Sequence, residues 1–185
     1  MPIPARFQLT PPAEELIQTM CQLCNAIEDG VERHDDVGEL LEEWHRHATR
    51  DCEPHEFTSY WKSQDQEEFV REVLYPRPVF VADLNYAEAR AVLESVVRVE
   101  LKEAETVYFL KWLEAQFPNC NISDLIYWPD EWFGDHSLFR EPNGAFKPEA
   151  ELSLDQILGY AMKRSARELP GTPTDIVLPF PLPKV

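Results

Sequence analysis

The sequence predicts an all-α protein built as two small helical bundles in tandem, and three observations carry that expectation. Apolar residues recur at the 3.6-residue helical period through most of the chain. The 185 residues hold 6 glycines against 16 prolines, and the prolines gather in clusters, leaving long stretches free of helix breakers. Similar elements also return in the same order in the two halves.

Taken in order, Thr10-Pro-Pro-Ala-Glu-Glu15 starts a first helix, with Thr10 as N-cap, prolines in the first turn and acids facing the dipole. Leu16, Ile17, Met20, Leu23, Cys24 and Ile27 then form one apolar face. Asp35 or Asp36 caps a second helix that turns Val37, Leu40, Leu41 and Trp44 inward. Past a polar break lie Phe57, Tyr60 and Trp61, then a third helix from about Gln64 to Leu74. Pro76-Arg-Pro78 interrupts the pattern, and Val79-Phe-Val81 reads as short and extended.

The second half begins with Asn85 capping a helix from Tyr86 to about Val99, with Ala89, Val92, Leu93, Val96 and Val97 on its inner side. A helix from about Ala104 to Gln116 follows, then the aromatic run Leu125 to Phe133. A polar loop through Glu141-Pro-Asn-Gly144 leads to Ser153, which caps a last helix carrying Ile157, Leu158, Tyr160 and Ala161. Leu9-Thr-Pro-Pro-Ala-Glu14 corresponds to Leu84-Asn-Tyr-Ala-Glu-Ala89, and Tyr60-Trp61 to Tyr127-Trp128. The expected organisation is a helical unit over 1–76, a second over 77–171 and a Pro-rich tail over 172–185.

Charge narrows the partners. Seventeen Lys and Arg stand against 34 Asp and Glu, a net charge of −17, with −10 in residues 1–78 and −7 in the rest. Phosphate attracts cations, so direct nucleic-acid binding and docking on an anionic membrane are both disfavoured. A basic protein surface is the complement that such acidity suits. The densest acids are Glu28, Asp29, Glu32, Asp35, Asp36, Glu39, Glu42 and Glu43. The chain shows no run long and apolar enough to span a membrane, and Met1-Pro-Ile-Pro-Ala-Arg6 lacks a basic region followed by an apolar one. A cytoplasmic protein is expected.

Signals for catalysis are thin. There is no phosphate-cradling glycine loop, no Gly-x-Ser-x-Gly and no His-Glu-x-x-His. Cys21 and Cys24 fall mid-helix on the inferred apolar face, where cysteine acts as a small hydrophobe, and no second ligand pair completes a zinc set. His34, His55 and His136 sit in polar loops with no nucleophile paired to them. The expectation is therefore no enzyme, no cofactor and no metal.

Ser123-Asp-Leu-Ile-Tyr-Trp-Pro129 is the most informative stretch. Aromatic side chains stiffened by a proline and flanked by acids lose little entropy on binding, which suits them as protein-binding anchors; they could equally cover a core formed by Leu125 and Ile126.

Asp124-Leu-Ile-Tyr-Trp-Pro129 resembles the Asp-Leu-Ile-Tyr-Tyr-Pro signature of the immunity proteins against nuclease colicins and S-type pyocins. The similarity runs over residues 84 to about 171. Asn85-Tyr-Ala-Glu-Ala89 resembles the opening of that family's first helix, and Phe117-Pro118 stands where the family has His-Pro. Leu152-Ser-Leu-Asp-Gln-Ile-Leu158 resembles the start of its last helix. In the first half, Leu23-Cys-Asn-Ala26 resembles the end of the family's first helix, but Phe57 replaces the motif's aspartate and Lys62 its proline. The segment Glu131 to Ala150 reads as an enlarged loop.

The resemblance implies a four-helix fold and no catalysis. It implies inhibition of a cognate bacteriocin's nuclease domain by a protein that binds beside the active site and obstructs nucleic acid there. Carried over residue by residue, it makes Asp124, Tyr127, Trp128 and Pro129 general anchors to the toxin, and Glu103, Glu105, Tyr108 and Trp112 specificity positions. The alternative is an acidic nucleic-acid mimic or adaptor that binds a basic host protein.

Overall fold

A computed structural model describes residues 2–183. Among these residues the protein is all-α: nine α-helices, four short 3-10 turns and no strand, with one isolated antiparallel bridge between Arg140 and Phe146. The chain divides into two compact units. One comprises Leu9–Arg77 with Lys102–Tyr108; the other comprises residues 2–8, Pro78–Leu101 and residues 109–183.

The first of these units holds helices α1 (Glu14–Glu32), α2 (Gly38–His47) and α3 (Gln66–Leu74). Pro11 and Pro12 precede α1 rather than opening it, and Ala13 is its extended N-cap (φ −63°, ψ 137°) with no side-chain cap. Two consecutive prolines hold the backbone near polyproline II and push back the first helical residue, which displaces the cap expected at Thr10. Glu14 and Glu15 still face the dipole. Before α2, the Asp36 carboxylate accepts from Gly38 N at 2.9 Å. Asp65 caps α3 by accepting from Glu68 N at 2.9 Å.

These helices bury Ile17, Met20, Cys24 and Ile27 from α1, Trp44 from α2, and Phe69, Val70 and Val73 from α3. Aromatic packing ties the core together. The Trp44 ring meets Phe57 edge-on at 4.8 Å and stacks with Phe69 at 5.8 Å, while Tyr60 stacks on the Phe69 ring at 5.1 Å. Phe57, at the position the resemblance aligns with the motif's aspartate, is fully buried core. Trp61 is exposed.

The other unit contains α4 (Tyr86–Val97), most of α5 (Glu103–Gln116), α6 (Ile122–Tyr127), α7 (Pro129–Phe133), α8 (His136–Phe139) and α9 (Leu154–Ser165). Capping boxes open α4 at Asn85 with Glu88, and α9 at Ser153 with Gln156. The expected loop over 131–150 is partly helical. Gly134 takes a left-handed conformation (φ 66°) that stops α7, and Asp135 then caps α8. Leu84, Ala89, Val92, Leu93 and Val96 pack with Leu113, Phe117, Leu125, Leu158 and Tyr160 among the unit's buried residues.

Helices α1 and α4 end in the same way. His34 (φ 61°) and Val99 (φ 54°) adopt left-handed backbone one residue past the cap. Asp35 N then returns to Gly30 O at 2.9 Å, and Glu100 N to Ser95 O at 3.4 Å. This is the Schellman arrangement, normally the preserve of glycine at that position.

The segment after α9 doubles back along it. Tyr160 Oη donates to Phe180 O at 2.7 Å and accepts from Phe180 N at 2.8 Å, while Gln156 donates to Val177 O at 3.2 Å. Gly159 makes room for this return: a Cβ there would stand 2.9 Å from the Leu178 side chain.

Candidate functional site

The aromatic motif sits where α6 gives way to α7. Asn121 precedes α6 in left-handed backbone (φ 49°), and its side-chain amide bonds the Asp124 carboxylate. Ile122 and Leu125 point into the core and fix the short helix. Trp128 (φ −135°, ψ 53°) then breaks the helical path. It closes α6, with its N donating to Asp124 O at 2.7 Å, and opens α7, with its carbonyl accepting from Glu131 N at 3.0 Å and Trp132 N at 2.9 Å. One residue thus serves both helix ends, and Pro129 takes the first position of α7, where its missing N–H costs nothing.

This corner leaves Tyr127 46% and Trp128 52% exposed, two large aromatic side chains on a hydrogen-bonded turn. Burial of part of the Tyr127 ring pushes its phenol pKa up. Asp124 is half-buried beside them. Glu114, on α5, has its carboxyl pKa raised by burial first and by the Asp124 charge second, which places two carboxylates within electrostatic reach of each other.

The segment that follows is anchored by Asp130, a buried carboxylate bonded to the Arg140 guanidinium and, at 2.8 Å, to the His136 ring. Trp132 Nε1 donates to Cys120 O at 2.5 Å, and its neighbour Phe133 packs on Tyr160 and Phe180 at 4.9 and 5.6 Å. Phe133 and Phe139, with the half-buried Trp132, therefore build core around the motif's far side, while Phe146 stays exposed.

The other expected contact residues fall into two groups. Glu103 is exposed, and Glu105 and Tyr108 are half-buried; all three belong to the unit that contains α1 to α3. Glu105 accepts from Lys102 N at 3.1 Å, closing the first turn of α5. Trp112 corrects an expectation. It is 2% exposed, with its ring 4.9 Å from Phe7, so it is core and cannot reach a partner. Pro129 is largely buried and stiffens the corner, with an edge lining the groove beside Tyr127. Asp124, Tyr127 and Trp128 remain together at the surface.

One feature escaped the sequence reading. A groove of about 380 Å³ borders Tyr127, lined by Val97 of α4, Ile126 of α6, Phe146, Glu151 and Leu152 among others. Val97 was expected inward, yet it is 39% exposed while Val96 is buried. The inward stripe is Ala89, Val92, Leu93 and Val96, and Val97 lies a further 100° round the helix. That off-stripe valine was the available signal.

The eight dense acids from Glu28 to Glu43 all lie at the surface, exposed or half-buried. Cys24 and Cys120 are buried, and burial pushes both thiols up to about 12. His45 Nε2 accepts from Cys52 N at 3.0 Å. Among the described residues no group of three or more His, Cys, Asp or Glu side chains could hold a metal ion, and no helix is long and apolar enough to cross a membrane. Set against protein-family models, curated proteins and solved structures, the chain matches none.

Proposed function

We propose that this chain is an immunity protein that binds and inhibits the nuclease domain of a cognate bacterial toxin. The observation that carries the reading is the exposed Tyr127-Trp128 pair on a corner hydrogen-bonded on both sides. Two large aromatics held in place at the surface of a protein lose little entropy on binding, and such residues dominate interface energetics. The motif Asp124-Leu-Ile-Tyr-Trp-Pro129 supports the reading through its resemblance to the nuclease immunity proteins.

Charge supplies the partner. A nuclease must hold phosphates with cations, so its substrate face is basic, and a chain of net charge −17 is attracted to it. Acids steer the encounter; desolvated Tyr127 and Trp128 then slow dissociation. Inhibition follows from covering the nucleic-acid path, and it requires no catalytic group or cofactor in this chain. The protein would act in the cytoplasm, where an incoming nuclease meets its substrate.

Co-expression with the cognate nuclease toxin tests this. Cells survive with the native chain and die with a Tyr127→Ala, Trp128→Ala double variant; equal survival with both would remove the site. An acidic mimic or adaptor for a basic host protein is the second reading, favoured by the exposed acids of α1 and α2. It predicts a host protein bound in the absence of any toxin, through those acids and not through Trp128.

A further inference from the structure

The groove beside Tyr127 has its own chemistry. Val97, Ile126, Tyr127, Phe146 and Leu152 give it apolar walls, and Glu151 adds an acid. Val97, Tyr127 and Phe146 leave 39%, 46% and 41% of their surface in solvent. Three partly exposed apolar side chains converging on one concavity form the kind of patch that marks interaction sites. Its volume of about 380 Å³ admits a large side chain with room to spare. The walls come from α4, α6, Pro129 at the start of α7, α9 and the segment 146–152, and none from α5.

The local charge is one-sided. The Glu151 side chain is in no ion pair with a described residue. Asp124 lies one turn before Tyr127 on α6. The cations adjacent in the chain to the groove's walls are committed elsewhere. Arg98, next to Val97, pairs with Glu94 at 2.7 Å. Lys147, next to Phe146, donates to Ser137 O at 2.8 Å and lines a different cavity. What fits is therefore an apolar side chain followed or preceded by a cation.

We propose that this groove receives one aliphatic or aromatic side chain flanked by Lys or Arg, presented by the same basic protein that Tyr127 and Trp128 engage. The inference rests on the function proposed above and deepens it, because it names the partner's complementary feature. Burial of the partner's apolar group against Val97 and Phe146 supplies contact area, and Glu151 selects for the neighbouring cation. A Leu or Phe flanked by acids is rejected by like charge, and a cation with no apolar neighbour leaves the walls wet.

Methyl NMR of the full chain, titrated with three tripeptides, separates these requirements. Acetyl-Lys-Leu-Lys-amide should shift the Val97, Ile126 and Leu152 methyls saturably. Acetyl-Lys-Ser-Lys-amide and acetyl-Glu-Leu-Glu-amide should not. Val97→Lys and Glu151→Lys, both at exposed positions, should each weaken the first peptide by about tenfold or more with unchanged melting curves. The inference is overturned if no peptide shifts those methyls, or if either control peptide shifts them equally. It is also overturned if the methyl shifts follow protein concentration alone, which would assign the groove to a second copy of the chain. Trp128→Ala, measured against the cognate nuclease toxin, reads the underlying proposal separately. A silent Trp128 with a responsive groove overturns that proposal, while a responsive Trp128 with a silent groove overturns only this inference.

Discussion

The carboxylate of Asp130 is bonded to the guanidinium of Arg140 two residues past the exposed ring of Trp128, so an ion pair between a buried carboxylate and a half-buried guanidinium fastens the chain directly behind the aromatic corner. The bond to Arg140 holds the Asp130 carboxyl down to about 2, against the burial that pushes it up, with help from the His136 ring. A carboxyl lowered from its ordinary 3.8 contributes stability above that value, and the contribution disappears as pH falls from about 4 to about 2. Asp130→Asn should cost about 2 kcal/mol near neutral pH, and the gap from the native chain should close on acidification. Urea melts of both proteins across that range check it; a gap independent of pH would mean that the charge on Asp130 is not what stabilises the corner.

Val99 carries a different kind of strain. A β-branched residue at φ 54° is sterically costly, and this one is exposed, with little packing to lose. Val99→Gly should therefore raise stability by about 1 kcal/mol, although glycine elsewhere in a helix usually lowers it. Thermal denaturation gives the sign.

The returning C-terminal segment hangs on one hydroxyl. Tyr160→Phe keeps the ring contacts and removes both bonds to Phe180, at 2.7 and 2.8 Å. The expected loss is about 1 to 3 kcal/mol, since the Phe180 backbone groups lose their partner. Limited proteolysis should cut residues 176–183 sooner in the variant while α9 stays intact. Equal protection would show that packing of Phe180 on Phe133 and Phe139 holds the segment without the hydroxyl.

In the other unit, Trp44 is enclosed by Phe57 and Phe69 with no exposed surface. Trp44→Ala should cost about 3 to 5 kcal/mol, the range for emptying a large aromatic site. Chemical denaturation measures it, and a cost under about 1 kcal/mol would show that the aromatic cluster closes over the gap.

Much of this was legible in short-range signals. Asn85 and Ser153 cap helices within three residues of themselves, and the stripes on α1 and α4 repeat within one helix. Long-range packing was not legible. Trp112 sits on a helix whose surface positions resemble contact residues, yet it is buried because Phe7, more than a hundred residues earlier, covers it. The break at Trp128 was legible in part, because Pro129 disfavours helical backbone at the residue before it and suits the first position of α7, but the capping of two helix ends by Trp128 alone was not. Tyr127 and Trp128 were readable as a motif; their exposure follows from that break.

The central claim is that Tyr127 and Trp128 bind a toxin nuclease while Trp112 only supports the fold. Titration calorimetry against the cognate nuclease domain tests it most directly. Tyr127→Ala and Trp128→Ala should each weaken binding by about 2 kcal/mol or more, roughly thirtyfold, with unchanged melting curves. Trp112→Ala should instead lower the melting temperature. Native affinity in both Tyr127→Ala and Trp128→Ala would contradict the account.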